Sequence, residues 1–410
     1  MSLDQEHIKR LICLIDSTVK QRRKGYPCKE LSLSTMSLAG MRCLVTGAGG
    51  FLGERIVCQL LEEDSLAEVR GLDKAVSSEA LQNFGKVKTK TLLTLMQGDI
   101  RDEALLQKAV QDITLVIHAA CILDPMGAVD THTLWDVNVR GTQLLLDTCL
   151  HNDVPYFIYT SSLEVTGPNT RGDPIYDGDE DTVYQNTKGF LYAESKKEAE
   201  KCVLAMNNQV LKDGKSFVTC SLRPMYIYGE GSPFLLQHLD ESIRNNNVFL
   251  RLSRKEALVN PVYVGNAAWA HIQMAKAMVD PQKVKQVQGC FYYISDDTPH
   301  LSYSDLNYEL TKELGFRIES RLPMPLMMLY CYALLLETIR FLLQPFVRYV
   351  PHINHHLLTL LNTPFSFSYR KAQRDFGYVP RYKWKEAKQH TSQWYAEVIP
   401  QRTAFLKGNH

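Results

Sequence analysis

The feature that most constrains the fold is a short buried strand that runs through a glycine-rich turn into a helix. Residues 42–46 read as the strand, and Ile56, Leu60 and Leu61 repeat at helical spacing. The glycines of the turn suit positions that need positive φ or a close backbone approach to a pyrophosphate. Free N–H groups at the helix N-terminus favour an anionic ligand there. Strand, turn and helix together predict a dinucleotide-binding site.

The residues around this turn predict which dinucleotide is bound. Asp73 ends the next strand about 20 residues after the turn, where a carboxylate binds ribose hydroxyls and repels a 2′-phosphate. This favours NAD over NADP, and the adjacent Lys74 is expected to soften that discrimination. Asp99 is predicted to meet the adenine amino group. The full set predicted to bind the cofactor is Gly47, Ala48, Gly49, Gly50, Phe51, Leu52, Gly53, Asp73, Asp99, Ile100, Tyr192 and Lys196.

Strands that alternate with helical stretches predict an α/β fold with a Rossmann-like, doubly wound parallel sheet. A smaller C-terminal substrate region and an apolar membrane-associating segment are expected to accompany the sheet. The predicted organisation has a 1–40 N-terminal extension and a 41–230 NAD-binding domain to which later segments return. It continues with a 231–321 substrate-binding region, a 322–350 membrane-associated or pocket-lid segment and a 351–410 C-terminal helical region.

Charge and cysteine content exclude several classes of protein. Lys and Arg total 46 and Asp and Glu total 45, so the formal charge of +1 gives no global attraction to nucleic acid. The ten cysteines are scattered without a C-x-x-C, which disfavours a zinc ribbon and favours reduced thiols. Residues 1–35 carry apolar residues at helical spacing and a basic run at 20–24. We predict an accessory helix there rather than a targeting helix.

A tyrosine and a lysine at i,i+4 spacing predict the catalytic centre. Tyr192 and Lys196 lie one turn apart on the same helical face. A phenol with a pKa near 10 is a poor base at neutral pH, and a neighbouring ammonium with a cationic nicotinamide stabilises the phenolate. Ser162 follows the strand at 156–160 and is predicted to hold the substrate oxygen. Tyr-x-x-x-Lys is common by chance, so its position after a nucleotide fold gives it value.

These motifs resemble those of the extended short-chain dehydrogenases/reductases. Within that group the chain is similar to the vertebrate 3β-hydroxysteroid dehydrogenase/Δ5→4-isomerases over about residues 41–400. The first two matching stretches are shared with sugar epimerases and dehydratases, and the later ones are more specific to the steroid family. The matching stretches are 43–53, 159–162, 222–231, 260–265, 292–300 and 368–374.

The resemblance implies a role for each residue of the catalytic centre. Tyr192 is implied to take the proton of the 3β-hydroxyl, and Lys196 to lower the pKa of Tyr192 and bind the nicotinamide ribose. Ser162 is implied to hydrogen-bond the substrate oxygen. Asn138 is similar to an asparagine that supports a proton relay, and a helix kink or cap is the alternative. The family often reads Tyr-Pro-His-Ser-Lys, and Glu194 replaces that histidine in this chain.

A second reaction, the Δ5→Δ4 isomerisation, needs a base at C4 and an acid at C6. Carboxylates in an apolar pocket suit this chemistry, because desolvation raises their pKa. Asp296 and Asp297, with Tyr292, lie in a motif similar to the one proposed for isomerisation in the family. The alternative is that the two aspartates form a turn and cap a helix.

The segment 322–350 is the most apolar part of the chain. Residues 326–336 carry no charge, but Glu337 and Arg340 interrupt the run before it reaches the roughly 20 apolar residues of a spanning helix. Aromatic and arginine residues favour an interfacial or re-entrant anchor, and a buried substrate-pocket helix is the alternative. We expect the three following histidines to lie in a solvated loop rather than to bind metal: His352, His355 and His356.

The resulting hypothesis is an NAD-dependent enzyme that oxidises 3β-hydroxy-Δ5-steroids such as pregnenolone or dehydroepiandrosterone and isomerises the product. The resemblance also implies a homodimer, contact with membrane lipid, and a catalytic domain outside the oxidising lumen at endoplasmic reticulum and mitochondrial membranes. Three alternatives stay open: a sterol dehydrogenase/decarboxylase, a nucleotide-sugar epimerase or dehydratase, and a non-enzymatic cofactor sensor. The catalytic pair argues against the sensor.

Overall fold

A seven-stranded sheet organises the chain in the computed structural model, which describes residues 37–408 except 64, 170, 185–189, 345 and 348. The accessory helix predicted within residues 1–35 lies outside the described residues. The strands are β1 (Arg42–Thr46), β2 (Glu68–Asp73), β3 (Leu92–Gln97), β4 (Leu115–His118), β5 (Tyr156–Thr160), β6 (Ile175–Gly178), β7 (Val218–Pro224), β8 (Ile227–Tyr228), β9 (Val248–Phe249), β10 (Val262–Tyr263), β11 (Phe291–Ile294), β12 (Arg317–Ile318) and β13 (Phe365–Phe367).

The α-helices fill the connections between these strands. Short π and 3₁₀ turns at Asp136–Arg140, Leu163–Val165 and Lys312–Leu314 supplement them. The α-helices are α1 (Phe51–Glu62), α2 (Ser78–Lys86), α3 (Glu103–Ala109), α4 (Thr131–Trp135), α5 (Gly141–His151), α6 (Leu191–Ala205), α7 (Pro233–Arg244), α8 (Val264–Met278), α9 (Val284–Val287), α10 (Tyr303–Thr311), α11 (Leu326–Leu343), α12 (His355–Asn362), α13 (Arg370–Phe376) and α14 (Trp384–Gly408).

The main sheet has the order β11-β7-β5-β4-β1-β2-β3, and its neighbouring strands are parallel. The predicted doubly wound sheet is therefore confirmed. On one side of β1 lie β2 and β3, and on the other side of the sheet β4 is followed by β5, β7 and β11. This reversal of strand order opens a crevice at the carboxyl ends of β1 and β4. β11 comes from the segment predicted to bind substrate, and it returns to the main sheet.

Apolar helices cover both faces of this sheet, as a parallel sheet requires. Ile56 of α1 and Ala268 of α8 belong to the buried cluster on one face. Leu106 of α3, Leu145 of α5 and Ala199 of α6 belong to a separate buried cluster. A third cluster joins α7, α10 and α14 through Leu239, Leu306 and Tyr395, among others. Each cysteine of the described residues is a free thiol.

Helix α11 presents an apolar face to solvent. In the described part of the chain it is the one helix long and apolar enough to cross a membrane. Its buried face is narrow, with Leu329, Ala333 and Leu336 packed in a cluster with Leu358 of α12. Large apolar side chains on the rest of the helix are exposed: Met327, Met328, Leu334, Leu335, Phe341 and Leu342.

The two charges that interrupt α11 are bound to the rest of the protein. Glu337 accepts a hydrogen bond from the His355 backbone N–H at 2.6 Å. Arg340 donates to the carbonyl oxygen of Gly127. Because both charged groups are engaged by the protein, the exposed surface of α11 is more apolar than its sequence suggests.

A buried histidine joins the central strands β1 and β4 to the start of α5. His118, at the end of β4, lies 2.6 Å from the Thr46 hydroxyl through Nδ1 and 2.9 Å from the Thr142 hydroxyl through Nε2. The Thr142 hydroxyl itself donates to the carbonyl oxygen of Asn138, so Nε2 donates to Thr142 and Nδ1 accepts from Thr46. His118 is thus a neutral packing residue.

The buried imidazole makes stability depend on pH. Burial lowers the pKa of His118 to about 3, whereas an imidazole in an unfolded chain has a pKa of about 6.5. The unfolded chain therefore binds this proton more strongly, and the free energy of unfolding falls as the pH decreases from about 6.5 towards 3. The slope for one group reaches about 1.4 kcal/mol per pH unit.

We expect His118→Gln to weaken this pH dependence. The variant should be less stable than the wild type near neutral pH, because it disturbs two buried hydrogen bonds. Between pH 7 and pH 5 it should lose less stability than the wild type. Urea unfolding at several pH values measures this, and His300→Gln, at an exposed histidine, should keep the wild-type slope. Equal slopes for wild type and His118→Gln would show that His118 does not titrate on unfolding.

Candidate active site

The glycine turn after β1 is closed against its neighbours. Gly47 has φ of +74°, and a Cβ there would lie 2.7 Å from the backbone nitrogen of Ala120. A Cβ on Gly53 would lie 1.9 Å from the carbonyl oxygen of Gly47. Side chains at either position would therefore push the turn away from α1 or from the segment after β4. The glycines therefore keep this turn closely packed against α1 and against the segment after β4.

Asp73 is hydrogen-bonded to the glycine turn that follows β1. Its carboxylate accepts hydrogen bonds from the Gly49 N–H at 2.9 Å and from the Ala75 N–H at 3.2 Å. A cavity of about 280 Å³ opens beside it at the carboxyl ends of β1, β2 and β4. Its lining fits a dinucleotide, with glycine backbone for phosphates and a carboxylate for ribose hydroxyls. The lining includes Gly47, Gly49, Gly50, Asp73, Asp99, Ile100, Ala119 and Cys121.

The predicted cofactor set divides into lining and support. Six of the predicted residues line the cavity, whereas Ala48 and Leu52 pack into the apolar core and Phe51 packs beside the α7–α10–α14 cluster. Gly53 has no side chain, and this allows the carbonyl oxygen of Gly47 to lie close to it. The lining residues could be found from local sequence patterns, because they lie in one turn and at the ends of two strands.

Asp99 also neutralises the lysine that follows Asp73. Its carboxylate lies 2.8 Å from the Arg101 guanidinium and 2.9 Å from the Lys74 ammonium. These partners, Arg101 first, hold the pKa of Asp99 well below its usual range. Because Lys74 is paired with Asp99, it opposes the negative charge of Asp73 less than its sequence position suggests. The contact of Asp99 with adenine stays a prediction.

Tyr192 lies in the first turn of α6 and is 6% exposed. Burial raises the pKa of Tyr192 well above its ordinary value, and the charges of Cys121 and Glu164 raise it further. A hydrogen bond with Ser162 opposes that rise. The expected lowering by Lys196 is not among the principal influences on this phenol. The phenolate therefore needs the help of Ser162 and of positive charge brought next to it.

Lys196 is held at the carboxyl end of β5. Its ammonium donates to the carbonyl oxygen of Thr160 at 2.5 Å and lies 4.3 Å from the centre of the Tyr159 ring. Burial lowers the pKa of Lys196. The structure therefore brings Tyr192, Lys196 and Ser162 together where β5 meets α6. A buried phenol, ammonium and hydroxyl in one place form a site for proton transfer to and from an alcohol.

Asn138 connects this site to the cofactor cavity. It lies in the π-helical turn, where its side-chain oxygen accepts from the Ile122 N–H at 2.7 Å. Its amide nitrogen donates to the Ile122 carbonyl oxygen and to the Ser195 hydroxyl, each at 3.0 Å. The Ser195 hydroxyl in turn donates to the Tyr192 carbonyl oxygen. Asn138 thus fixes α6 against the cavity wall, and its part in a proton relay stays a prediction.

Within the described residues, the two aspartates predicted for isomerisation form their hydrogen bonds and ion pairs with other parts of the chain. Asp296 is buried and accepts from the Tyr263 N–H, the Asn266 amide and the Thr298 N–H at 2.8–2.9 Å. Burial raises its pKa. Asp297 is more exposed, with the Lys383 ammonium 4.0 Å away. These contacts make Asp296 a turn-forming residue, the alternative raised from the sequence.

The side chain of Tyr292, on β11, contacts α13. Its hydroxyl donates to the Asp375 carboxylate at 3.1 Å, and its ring meets Phe376 edge-on. It is therefore engaged with α13. The isomerase roles of Tyr292, Asp296 and Asp297 stay predictions.

Two residues, Glu164 and His356, were assigned no role at this site by the sequence analysis. Glu164, two positions after Ser162, is 8% exposed and lies 3.0 Å from Nε2 of His356. The interpretation of His356 as a residue of a solvated loop is wrong, because it lies in α12 and is 9% exposed. The sequence offered a hint for Glu164, because it lies only two positions after Ser162. It offered no hint for His356, because His356 is far along the chain from both residues.

Comparison with known proteins adds the family to this geometry. Residues 44–326 match the model of the 3-beta hydroxysteroid dehydrogenase/isomerase family. This chain belongs to that family. The match begins within β1 and contains β2–β12, the glycine turn and all three residues of the proton-transfer site, so the features of that site lie within the family's own region. It ends at the first residue of α11.

Solved structures support the fold. A dTDP-glucose 4,6-dehydratase from Streptomyces venezuelae, determined with NAD bound, is 21% identical, with a TM-score of 0.63 over 88% of this chain and 98% of its own. MoeE5 in complex with UDP-glucuronic acid and NAD is 18% identical, with a TM-score of 0.61 over 87% and 99%. An epimerase from Methanothermobacter thermautotrophicus is 15% identical, with a TM-score of 0.64 over 92% and 98%. The prediction of NAD agrees with these comparisons.

Proposed function

We propose that this member of the family oxidises 3β-hydroxy-Δ5-steroids to 3-ketosteroids with NAD and then moves the double bond to Δ4. The observation that carries the proposal is the convergence of Tyr192, Lys196 and Ser162 in a chain of the 3-beta hydroxysteroid dehydrogenase/isomerase family. The motifs shared with the vertebrate enzymes, especially 222–231 and 292–300, support the steroid over other substrates.

The chemistry of the first step follows from the three side chains. NAD, when bound beside the glycine turn, supplies the hydride acceptor. The Tyr192 phenolate takes the proton of the 3β-hydroxyl, and the Ser162 hydroxyl holds the same oxygen. Lys196 adds a positive charge one helical turn from Tyr192, and the cationic ring of bound NAD⁺ would add the further positive charge that the buried phenolate needs. Because the site is buried, water competes poorly for these groups.

A substrate panel tests the proposal. Purified protein with NAD⁺ is given pregnenolone, dehydroepiandrosterone, UDP-glucose or dTDP-glucose, and NADH and conjugated enone are followed together. We expect both signals with the steroids and neither with the sugar nucleotides. NADH with only the Δ5-ketone would retain the dehydrogenase and remove the isomerase. Turnover of a sugar nucleotide alone would replace the steroid proposal by an epimerase or dehydratase, whose structures share this fold.

We also propose that the exposed face of α11 binds the membranes of the endoplasmic reticulum and mitochondrion. The helix lies against the protein through one narrow face, and its two charges are already engaged, which suits an interfacial anchor. A steroid partitions into lipid, so an anchor near the site would shorten its path. The homodimer implied by the family resemblance belongs to the same proposal and is testable by light scattering in detergent.

Placing charges on this face should release the protein from membranes. We expect Leu334→Glu combined with Leu335→Glu to increase the soluble fraction about tenfold or more, because carboxylates are costly in an apolar phase. Fractionation of expressing cells measures this. Leu81→Glu combined with Leu92→Glu, at exposed apolar residues on α2 and β3, is the matched control and should stay membrane-bound. Equal release by both pairs would refute the role of α11.

A further inference from the structure

A buried acid lies beside the proton-transfer site and takes no part in the dehydrogenation described above. Glu164 belongs to the 3₁₀ turn Leu163–Val165 that directly follows Ser162. Its backbone N–H donates to the Ser162 hydroxyl oxygen at 3.2 Å. The serine that holds the substrate oxygen therefore also fixes the position of the acid.

The partner of Glu164 sets it apart from other buried acids of the described residues. Glu200, which is also buried, pairs with the guanidinium of Arg223 at 2.6 Å, in a charge-assisted ion pair. The ion pairs of the described residues give Glu164 no lysine or arginine. Its oxygen Oε2 lies 3.0 Å from Nε2 of His356. Imidazoles and carboxylates are the side chains that most often serve as general acids and bases.

The two ring nitrogens of His356 differ in their hydrogen bonding. Its Nε2 faces Glu164, and its buried Nδ1 has no hydrogen-bond partner among the described residues. The ring lies against Phe190, with 3.7 Å between ring centres. Phe190 immediately precedes α6, the helix that carries Tyr192. A buried polar atom without a partner is costly, so its presence beside a reactive site indicates a functional use.

The charge of Glu164 is felt at the catalytic phenol. After burial, Glu164 is among the groups that raise the pKa of Tyr192, and it acts in the same way on Tyr303 of α10. The geometry agrees, because Glu164 lies in the turn that follows Ser162 and its backbone N–H is bound to the Ser162 hydroxyl oxygen.

We propose that Glu164 carries the proton from C4 to C6 in the isomerisation and that His356 is the positioning residue that holds it. This inference rests on the proposed function, since it needs a Δ5-3-ketone in the site. It assigns the second reaction to a residue between β5 and α6. The carboxylate of Asp296, by contrast, already accepts three hydrogen bonds.

The step balances without a further reactant. The Glu164 carboxylate takes the C4 proton, the C4–H electron pair forms the C3=C4 bond, and the carbonyl electrons move to the oxygen held by Tyr192 and Ser162. When the carbonyl re-forms, the C3=C4 pair becomes the C4=C5 bond. The C5=C6 pair then takes the proton back from Glu164 at C6. One carboxyl group serves both transfers, and the hydride acceptor is not consumed.

Separate assays of the two reactions test the proposal. Glu164→Gln is compared with wild type for NADH formation from the alcohol and for enone formation from the Δ5-3-ketone supplied directly with NADH. General acid–base catalysis is worth about 10²–10⁴-fold. We expect enone formation to fall by that factor and by at least ten times more than NADH formation. Equal losses in the two reactions, or a loss below threefold, would overturn the assignment.

Further measurements separate this inference from the proposed function. With a C4-deuterated ketone, wild type should transfer deuterium to C6 and Glu164→Gln should not. If Glu164→Gln fails to fold, Glu164→Asp, which keeps the charge but withdraws it, should show the same selective loss. An Asp296→Asn variant that alone loses isomerisation would overturn the inference and keep the function. Wild type inert on both steroids would overturn both.

The positioning role of His356 has its own readout. His356→Phe preserves a ring against Phe190 but removes the hydrogen bond to Glu164, and we expect about a tenfold fall in kcat of isomerisation. His356→Gln retains a donor and should recover activity to within threefold of wild type. If the two variants lose activity equally, His356 acts only through packing and the positioning role fails.

Discussion

Replacing Tyr192 with phenylalanine is expected to lower kcat of steroid oxidation by about 10²–10⁴-fold. The substitution removes the one oxygen that takes the hydroxyl proton and leaves a ring of nearly the same shape in a buried position. Affinity for NADH should change by less than threefold, because Tyr192 is not part of the lining of the cofactor cavity. Steady-state NADH formation and a direct titration with NADH measure the two quantities.

A matched control separates loss of chemistry from loss of folding. Tyr395→Phe removes the hydroxyl of another fully buried tyrosine, which lies 3.4 Å from the Leu235 carbonyl oxygen between α14 and α7. Both variants lose a buried hydroxyl, but only Tyr192→Phe should lose turnover. Retention of more than a tenth of wild-type kcat by Tyr192→Phe would mean that another group takes the proton.

Adding a methyl group at Gly53 is expected to weaken NADH binding by at least tenfold. The new Cβ would stand 1.9 Å from the Gly47 carbonyl oxygen, so the turn must separate from α1. Overpacking of this kind costs about 1–3 kcal/mol, and 1.4 kcal/mol corresponds to a factor of ten in affinity. Fluorescence titration with NADH measures the loss, and thermal unfolding of the same sample reports on the fold.

Gly85→Ala is the matched control, because Gly85 also lies in a helix. A Cβ there would meet nothing within 4 Å. Alanine favours helix over glycine by roughly 1 kcal/mol, so α2 should become slightly more stable while NADH affinity stays unchanged. If Gly53→Ala bound NADH as tightly as Gly85→Ala does, the closed turn described above would not govern cofactor binding.

The sequence predicted those parts of the site that depend on local structure. The glycine turn, Asp73 and the strand ends are each read within a few residues, because strand–turn–helix geometry is a short-range property. Tyr192 and Lys196 were found for the same reason, since i,i+4 spacing on a helix fixes their common face. Ser162 was placed by the strand before it.

Features that depend on tertiary contacts could not be read in this way. The pairing of Glu164 with His356 joins residues 192 positions apart, and no local pattern links them. The raised pKa of Tyr192 follows mainly from burial, which the sequence does not report. The pairing of Lys74 with Asp99 likewise weakens the expected effect of that lysine on the cofactor site. In each case the missing information is which groups the fold desolvates together.

The C-terminal region shows the same division. The apolar run at 326–336 predicted an interfacial or re-entrant anchor, with a buried substrate-pocket helix as the alternative, and α11 covers this run. Whether Glu337 and Arg340 face solvent or protein was undetermined by spacing. Their contacts with His355 and Gly127 leave the opposite face of α11 apolar, and this makes an interfacial position testable.

We propose that Tyr192, Lys196 and Ser162 direct hydride transfer from C3 of a 3β-hydroxy-Δ5-steroid to NAD. The most direct measurement uses the steroid with deuterium in place of hydrogen at C3, together with unlabelled NAD⁺, and analyses the reduced cofactor by mass spectrometry. We expect one deuterium per NADH and an equal amount of ketosteroid with wild type, and neither with Tyr192→Phe. Ketosteroid without labelled NADH, or labelled NADH formed equally well by Tyr192→Phe, would contradict the account.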